Sequence, residues 1–167
     1  MPIDSDFGID IGFPGLPEED QPDQVVVKPN PEPLAQKGPI LDVEVHVTDS
    51  HAKVLKDNGK EVPSPRTGKG LIDTGASISA VDVDTIDELS LSPIGATNVS
   101  TPSGKAIQEL YALKFSFPGK GLPDMNSLNV LGSNLDGQNI CALIGRDILR
   151  YCLLVYEGPS GSITIAI

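Results

Sequence analysis

The chain has 167 residues, a formal net charge of −11 and two cysteines. That length fits one ordinary domain plus a tail, and such a domain can fold without disulfides or a bound metal. The acidic balance argues against a nucleic-acid partner and against docking on anionic membranes, since both need clustered Lys and Arg.

Residues 1–38 read as an acidic, Pro-rich, flexible tail. Up to Pro39 the chain holds eight of its 15 prolines, and eight acids against Lys28 and Lys37. Such a composition cannot offset the entropy of ordering a chain. Val25-Val26-Val27 is the one piece suited to dock as an edge strand. Met1-Pro2-Ile3-Asp4-Ser5-Asp6 lacks the basic start and apolar run of a signal peptide, and no apolar stretch approaches the length that spans a bilayer. Cys141 and Cys152 lie in apolar stretches outside any CxxC pattern. The expectation is a cytoplasmic protein with reduced thiols.

Residues 39–167 read as the folded domain, β-rich and punctuated by Gly and Pro turns. Ile40-Leu41-Asp42-Val43-Glu44-Val45-His46-Val47 alternates apolar and polar residues, as a half-buried strand does. Residues 48–69 read as a loop, with one helical turn over Ala52-Lys53-Val54-Leu55-Lys56. Residues 70–73 and 77–81 read as short strands, and Asp84 can cap a helix reaching Leu89. Residues 99–101 and 106–117 form two strands joined by Pro102-Ser103-Gly104. Residues 139–144 read as an apolar strand, 146–151 as a short helix, and 152–156 and 163–167 as a terminal hairpin. Asp82, Asp84, Asp87 and Glu88 sit at a helix start, where a solvated acidic turn favoured by the helix dipole explains them without a metal. No metal or cofactor is expected.

The informative segment is Leu71-Ile72-Asp73-Thr74-Gly75-Ala76-Ser77. Two apolar residues bury the incoming strand and hold the following loop on the core. Asp73 then emerges where its carboxylate can reach solvent and substrate. Thr74 offers a hydroxyl to a neighbouring loop, and Gly75 lets a second backbone approach closely. Such a tripeptide alone is weak, being short enough to recur by chance. A second segment, Ala142-Leu143-Ile144-Gly145-Arg146-Asp147-Ile148-Leu149, follows about 70 residues later. Between them lies Val99-Ser100-Thr101-Pro102-Ser103-Gly104-Lys105, flanked by strands.

These three elements, in this order, resemble the retropepsin-like (retroviral-type) aspartic proteases, over about residues 39–167. The resemblance implies an all-β fold: a retropepsin-like acid-protease β-barrel or sandwich with a flap hairpin and one or two short helices. It implies an aspartic endopeptidase that hydrolyses an extended polypeptide. Asp73, Thr74 and Gly75 would be catalytic. Ala76, Ser77, Thr101, Pro102, Ser103 and Gly104 would bind substrate, the last four as the flap tip. Leu143, Ile144, Gly145, Arg146 and Asp147 would support the site. Aspartic protease chemistry needs two carboxylates sharing one proton. The chain holds one Asp-Thr-Gly, because Leu135-Asp136-Gly137 lacks the Thr and follows no apolar strand. The resemblance therefore implies a homodimer in which each copy supplies one Asp73.

Two features depart from the family pattern. Ser77 stands where many viral members carry an acid, which leaves Arg146 to pair with Asp147, a nearby carbonyl or the other subunit. The chain also ends in a hairpin rather than one short strand, closer to cellular retropepsin-like domains. The rival reading is a non-catalytic retropepsin-like module that binds peptides or serves in assembly.

Overall fold

The computed structural model describes residues 24–27, 34–101, 104–119 and 121–167. In chain order these form β1 (Gln24–Val27), α1 (Leu34–Lys37), β2 (Ile40–His46), α2 (Asp49–Asp57), β3 (Arg66–Ile72), β4 (Ala80–Asp82) and α3 (Val83–Glu88). There follow β5 (Gly95–Thr101), β6 (Gly104–Ser116), β7 (Met125–Ser133), β8 (Ala142–Ile144), α4 (Arg146–Leu149), β9 (Leu153–Glu157) and β10 (Ser162–Ala166). The fold is all-β with short helices, as expected. The described residues hold four helices where one or two were anticipated.

Seven strands run in the order β2-β3-β8-β4-β7-β6-β5. A further pairing of β2 with β6, from Glu44↔Ser116 to His46↔Lys114, closes six of them into a barrel and leaves β5 outside on β6. Alternation drives this closure. Leu41, Val43 and Val45 of β2 point inward, as do Tyr111, Leu113 and Phe115 of β6, while the intervening residues face outward. Ile72, Val81, Val130, Ala142 and Ile144 complete the same core. Each large side chain buried there contributes about 2 kcal/mol by leaving water. β5 and the first half of β6 form a hairpin that runs past the barrel with most of its described side chains exposed.

A second sheet, β1-β10-β9, packs through Ile163 and Ile165 onto the core. Val25, Val26 and Val27 pair with Ile165, Thr164 and Ile163, so the valine run forms the edge strand that its composition suggested. The boundary at Pro39 does not mark the start of packed structure. Leu34, upstream of it, is buried in the core because a single helical turn offers its side chain to the barrel. The rest of the expected tail, residues 1–23 and 28–33, lies outside the described residues. Cys141 and Cys152 are unpaired and half-buried, and burial pushes both thiols up. Among the described residues no helix is long and apolar enough to cross a membrane.

Other sequence expectations need correction. Asp82 rather than Asp84 holds the N-cap position of α3, without a side-chain cap hydrogen bond, and β3 begins at Arg66, inside the stretch read as a loop. Residues 49–57 form a nine-residue helix rather than one turn. Thr48 caps it by accepting the His51 N–H at 3.1 Å, Asp49 sits at its positive end, and Lys53 pairs with Asp57 one turn on. β7 lay in a stretch with no assigned strand. Its alternation is broken by Ser127 in a left-handed conformation (φ 59°) and by a register shift opposite Leu113 and Phe115.

Phe115 touches both sides of the closure, opposite Val45 on β2 and Met125 on β7. Replacing it with Ala is expected to cost about 3 to 5 kcal/mol of stability. The measurement is urea unfolding, where the midpoint should fall at unchanged slope.

Candidate active site

The loop from Asp73 to Ser79 joins β3 to β4, which are not neighbours, because β8 lies between them. β3 runs parallel to β8, ending with Ile72 beside Ile144, and the Asp73 N–H continues the ladder by donating to the Ile144 carbonyl at 2.9 Å. The chain must then cross over the end of β8 to reach β4. It does so at Gly145, where a Cβ would lie 2.8 Å from the Ile78 carbonyl carbon and 2.9 Å from the Ser79 nitrogen. Both are backbone atoms, so only glycine fits at this crossing.

Ser79 locks the crossing. It is fully buried, and its hydroxyl accepts the Gly145 N–H at 2.9 Å while donating to Asp147 Oδ1 at 2.7 Å. The Ser79 N–H also donates to the Asp147 carboxylate, at 3.1 and 3.0 Å. Asp147 sits in the first turn of α4, and the preceding Arg146 N–H donates to the Ala76 carbonyl at 3.0 Å. Loop, strand end and helix start are thereby tied into one unit, with the Ser79 N–H and hydroxyl and the Gly145 N–H all paired.

On that unit Asp73 stands half-buried, with Thr74, Gly75 and Ser77 exposed around it and Ala76 half-buried. Its Oδ1 accepts two backbone N–H groups, from Gly75 at 2.8 Å and from Ala76 at 3.2 Å. A Cβ at Gly75 would lie 3.0 Å from Asp73 Oδ1, so a larger residue there would press on the carboxylate. One carboxylate oxygen is therefore held by the loop, and Oδ2 accepts no hydrogen bond among the described residues. A carboxylate fixed in this way is suited to exchange a proton with a group placed at its free oxygen.

Arg146 answers the question left by Ser77. Its Nη1 donates to the carbonyls of Thr74 at 2.8 Å and Gly75 at 2.9 Å, and it forms no ion pair with a carboxylate among the described residues. Of the partners open to it within its own chain, a nearby carbonyl is the one it takes. Asp147 is engaged by Ser79 instead.

Asp73, Thr74, Gly75, Ala76 and Ser77 thus meet Leu143, Ile144, Gly145, Arg146 and Asp147 in one place. Of the other four candidate residues, Thr101 ends β5 and Gly104 begins β6. Thr101 pairs with Gly104, and Pro102 and Ser103 lie outside the described residues. Ser79 was not singled out from sequence. The one signal for it was a hydroxyl within the apolar run Ile78-Ser79-Ala80-Val81. On the far side of β4, the carboxylates of Asp82, Asp84 and Asp136 come within 4.8 Å of one another, and Asp82 Oδ1 already accepts the Leu135 N–H. Asp87 and Glu88 are not part of that group.

No protein-family model and no curated protein matches the chain. Among solved structures it is similar to a retropepsin-like aspartic protease from Rickettsia conorii, at 14% identity and a TM-score of 0.49 over 86% of this chain and 90% of that one. It is similar to the simian foamy virus protease at 20% identity and a TM-score of 0.42, over 68% of this chain and 93% of that one. For the EIAV protease the values are 18% and 0.41, over 51% and 76%. All three identities are 20% or lower.

The crossing can be probed without touching Asp73. Ser79→Ala strands the Gly145 N–H and removes a donor from Asp147, which is expected to cost about 1 to 3 kcal/mol. Gly145→Ala forces two backbones apart and is expected to cost more than Ser79→Ala. Thermal unfolding of the two variants side by side checks the order.

Proposed function

We propose that this chain is an aspartic endopeptidase of the retropepsin type, acting as a homodimer on extended polypeptides. The observation that carries this reading is the Asp73 carboxylate, held by the Gly75 and Ala76 N–H groups at an exposed loop tip, with its second oxygen open.

One such carboxylate is half of a proton-sharing pair, and the second comes from the Asp73 of another copy through an isologous twofold contact. At about 3 Å apart the two cannot both be ionised, so they hold one proton between them. The protons belong to the pair rather than to either residue. The ionised member takes a proton from a water lying between the carboxylates, and the protonated member donates to the scissile carbonyl. Water attack gives a tetrahedral intermediate, and return of a proton to the amide nitrogen releases the two peptide products. The exposed Thr74 hydroxyls would meet across the twofold axis and hold the two loops at the right separation.

The β5–β6 hairpin takes the part of the flap. It projects from the barrel, its end pairs Thr101 with Gly104, and Ile107 on it is 76% exposed, an apolar side chain free to cover a bound peptide. An extended substrate lying between hairpin and loop would bind through its backbone and be selected by its side chains. Closure would exclude water and opening would release product.

Asp73→Asn is expected to abolish peptide cleavage while leaving the fold intact. Mixing equal amounts of wild-type and Asp73→Asn chains should about halve the activity of the wild type, because mixed dimers carry one carboxylate. Cleavage by the variant at the wild-type rate, or activity unchanged on mixing, would sink the shared-site reading. Peptide binding without cleavage by the wild type would point to the binding module instead.

A further inference from the structure

Arg146 reaches the loop at two carbonyls, and those carbonyls have particular partners within their own peptide groups. The Thr74 carbonyl and the Gly75 N–H belong to one planar peptide unit, and the Gly75 carbonyl and the Ala76 N–H belong to the next. These are the two N–H groups that donate to Asp73 Oδ1. The guanidinium therefore grips the oxygen end of both peptide units whose hydrogen end holds the carboxylate.

We propose that Arg146 is a positioning residue for Asp73, fixing and polarising the two peptide groups that hold its carboxylate. Each peptide unit relays the effect in two ways. A charged donor on the carbonyl makes a strong, short hydrogen bond that fixes the plane of the unit, and so fixes where its N–H points. It also draws electron density toward the oxygen, which strengthens the same unit's N–H as a donor. Both effects hold the carboxylate oxygen at one place and in one orientation. Arg suits the task because it stays protonated at any working pH.

Few other charges compete at this point. On the elements packed against the loop, Asp147 faces it from α4 with its carboxylate engaged by Ser79. β8 carries no charge, while Arg66 and Lys69 on β3 pair with Glu88 and Asp42. Ser77 adds none where an acid would draw the guanidinium away from the carbonyls. The consequence for turnover rests on the proposed catalytic role of Asp73, whereas the effect on the carboxylate itself does not.

The test is NMR of the Gly75 and Ala76 amide hydrogens, with peptide cleavage followed in parallel. In Arg146→Met, which keeps the stem and loses the charge and donors, exchange of these two amide hydrogens with water is expected to quicken about tenfold, as their hydrogen bonds to Asp73 weaken. In Arg146→Lys, which keeps a charge and can donate to both carbonyls from one nitrogen, it should return toward wild type. In Arg146→Met kcat should fall about tenfold with KM little changed. A folded Arg146→Met whose Gly75 and Ala76 amides exchange as in wild type overturns the proposal. If Arg146→Met does not fold, Arg146→Gln gives the same decision, because it too removes the charge. A wild-type chain that cleaves no peptide would overturn the protease reading while the amide exchange still decides the role of Arg146.

Discussion

Where the loop from Asp73 to Ser79 crosses the end of β8, a methyl group on Gly145 would collide with the backbone of Ile78 and Ser79. Two backbones this close cannot be hydrated, so their polar groups have to pair with each other or with side chains. Ser79 meets that demand by accepting from Gly145 and donating to Asp147. The parallel pairing of β3 with β8 brings Ile72 level with Ile144, and the crossing then delivers Asp73 to the surface at one defined spot. Loosening the crossing would leave Asp73 without a fixed position.

Much of this was legible in the sequence, for a physical reason. Asp73-Thr74-Gly75 and Gly145-Arg146-Asp147 combine a charge with a glycine directly after an apolar strand, a combination that ordinary core strands avoid. Ser79 was illegible because a lone serine in an apolar run looks like any half-buried position. Its importance comes from a partner 68 residues away. β7 was missed because its bulge and left-handed Ser127 destroy the alternation that marks a strand. The helix at Asp49–Asp57 was underestimated because its mean composition is polar, and its stability comes from the Thr48 cap and its own charge pattern instead. The buried Leu34 shows the limit of composition as a boundary signal, since one apolar residue in a polar, Pro-rich stretch is enough to be held by a core it completes.

The proposed pairing of two Asp73 carboxylates sets a second constraint. The described residues offer no other carboxylate within the loop, so chemistry that needs a pair depends on association. A chain of net −11 associates with its own copy against like charge. Apolar contact has to outweigh that repulsion, which salt screens over about 10 Å at 0.1 M. Tyr151, Leu153, Tyr156 and Ile167 are large exposed apolar side chains within the last 17 residues, on or beside the sheet that follows α4. Exposed apolar area so close in sequence to the loop's anchoring helix is available for the contact that the proposed dimer requires.

Ser77 connects these constraints. An acid at that position would offer Arg146 a charged partner, and the guanidinium would then be shared between a side chain and the loop. With a neutral hydroxyl there, the loop's own carbonyls are the best acceptors within reach, and the positive charge is committed to the peptide groups that hold Asp73. Ser77 therefore leaves that cation on the backbone of the loop that carries Asp73. A single chain thus holds its carboxylate in order, and the proposed dimer would have only to bring together two loops that are already formed.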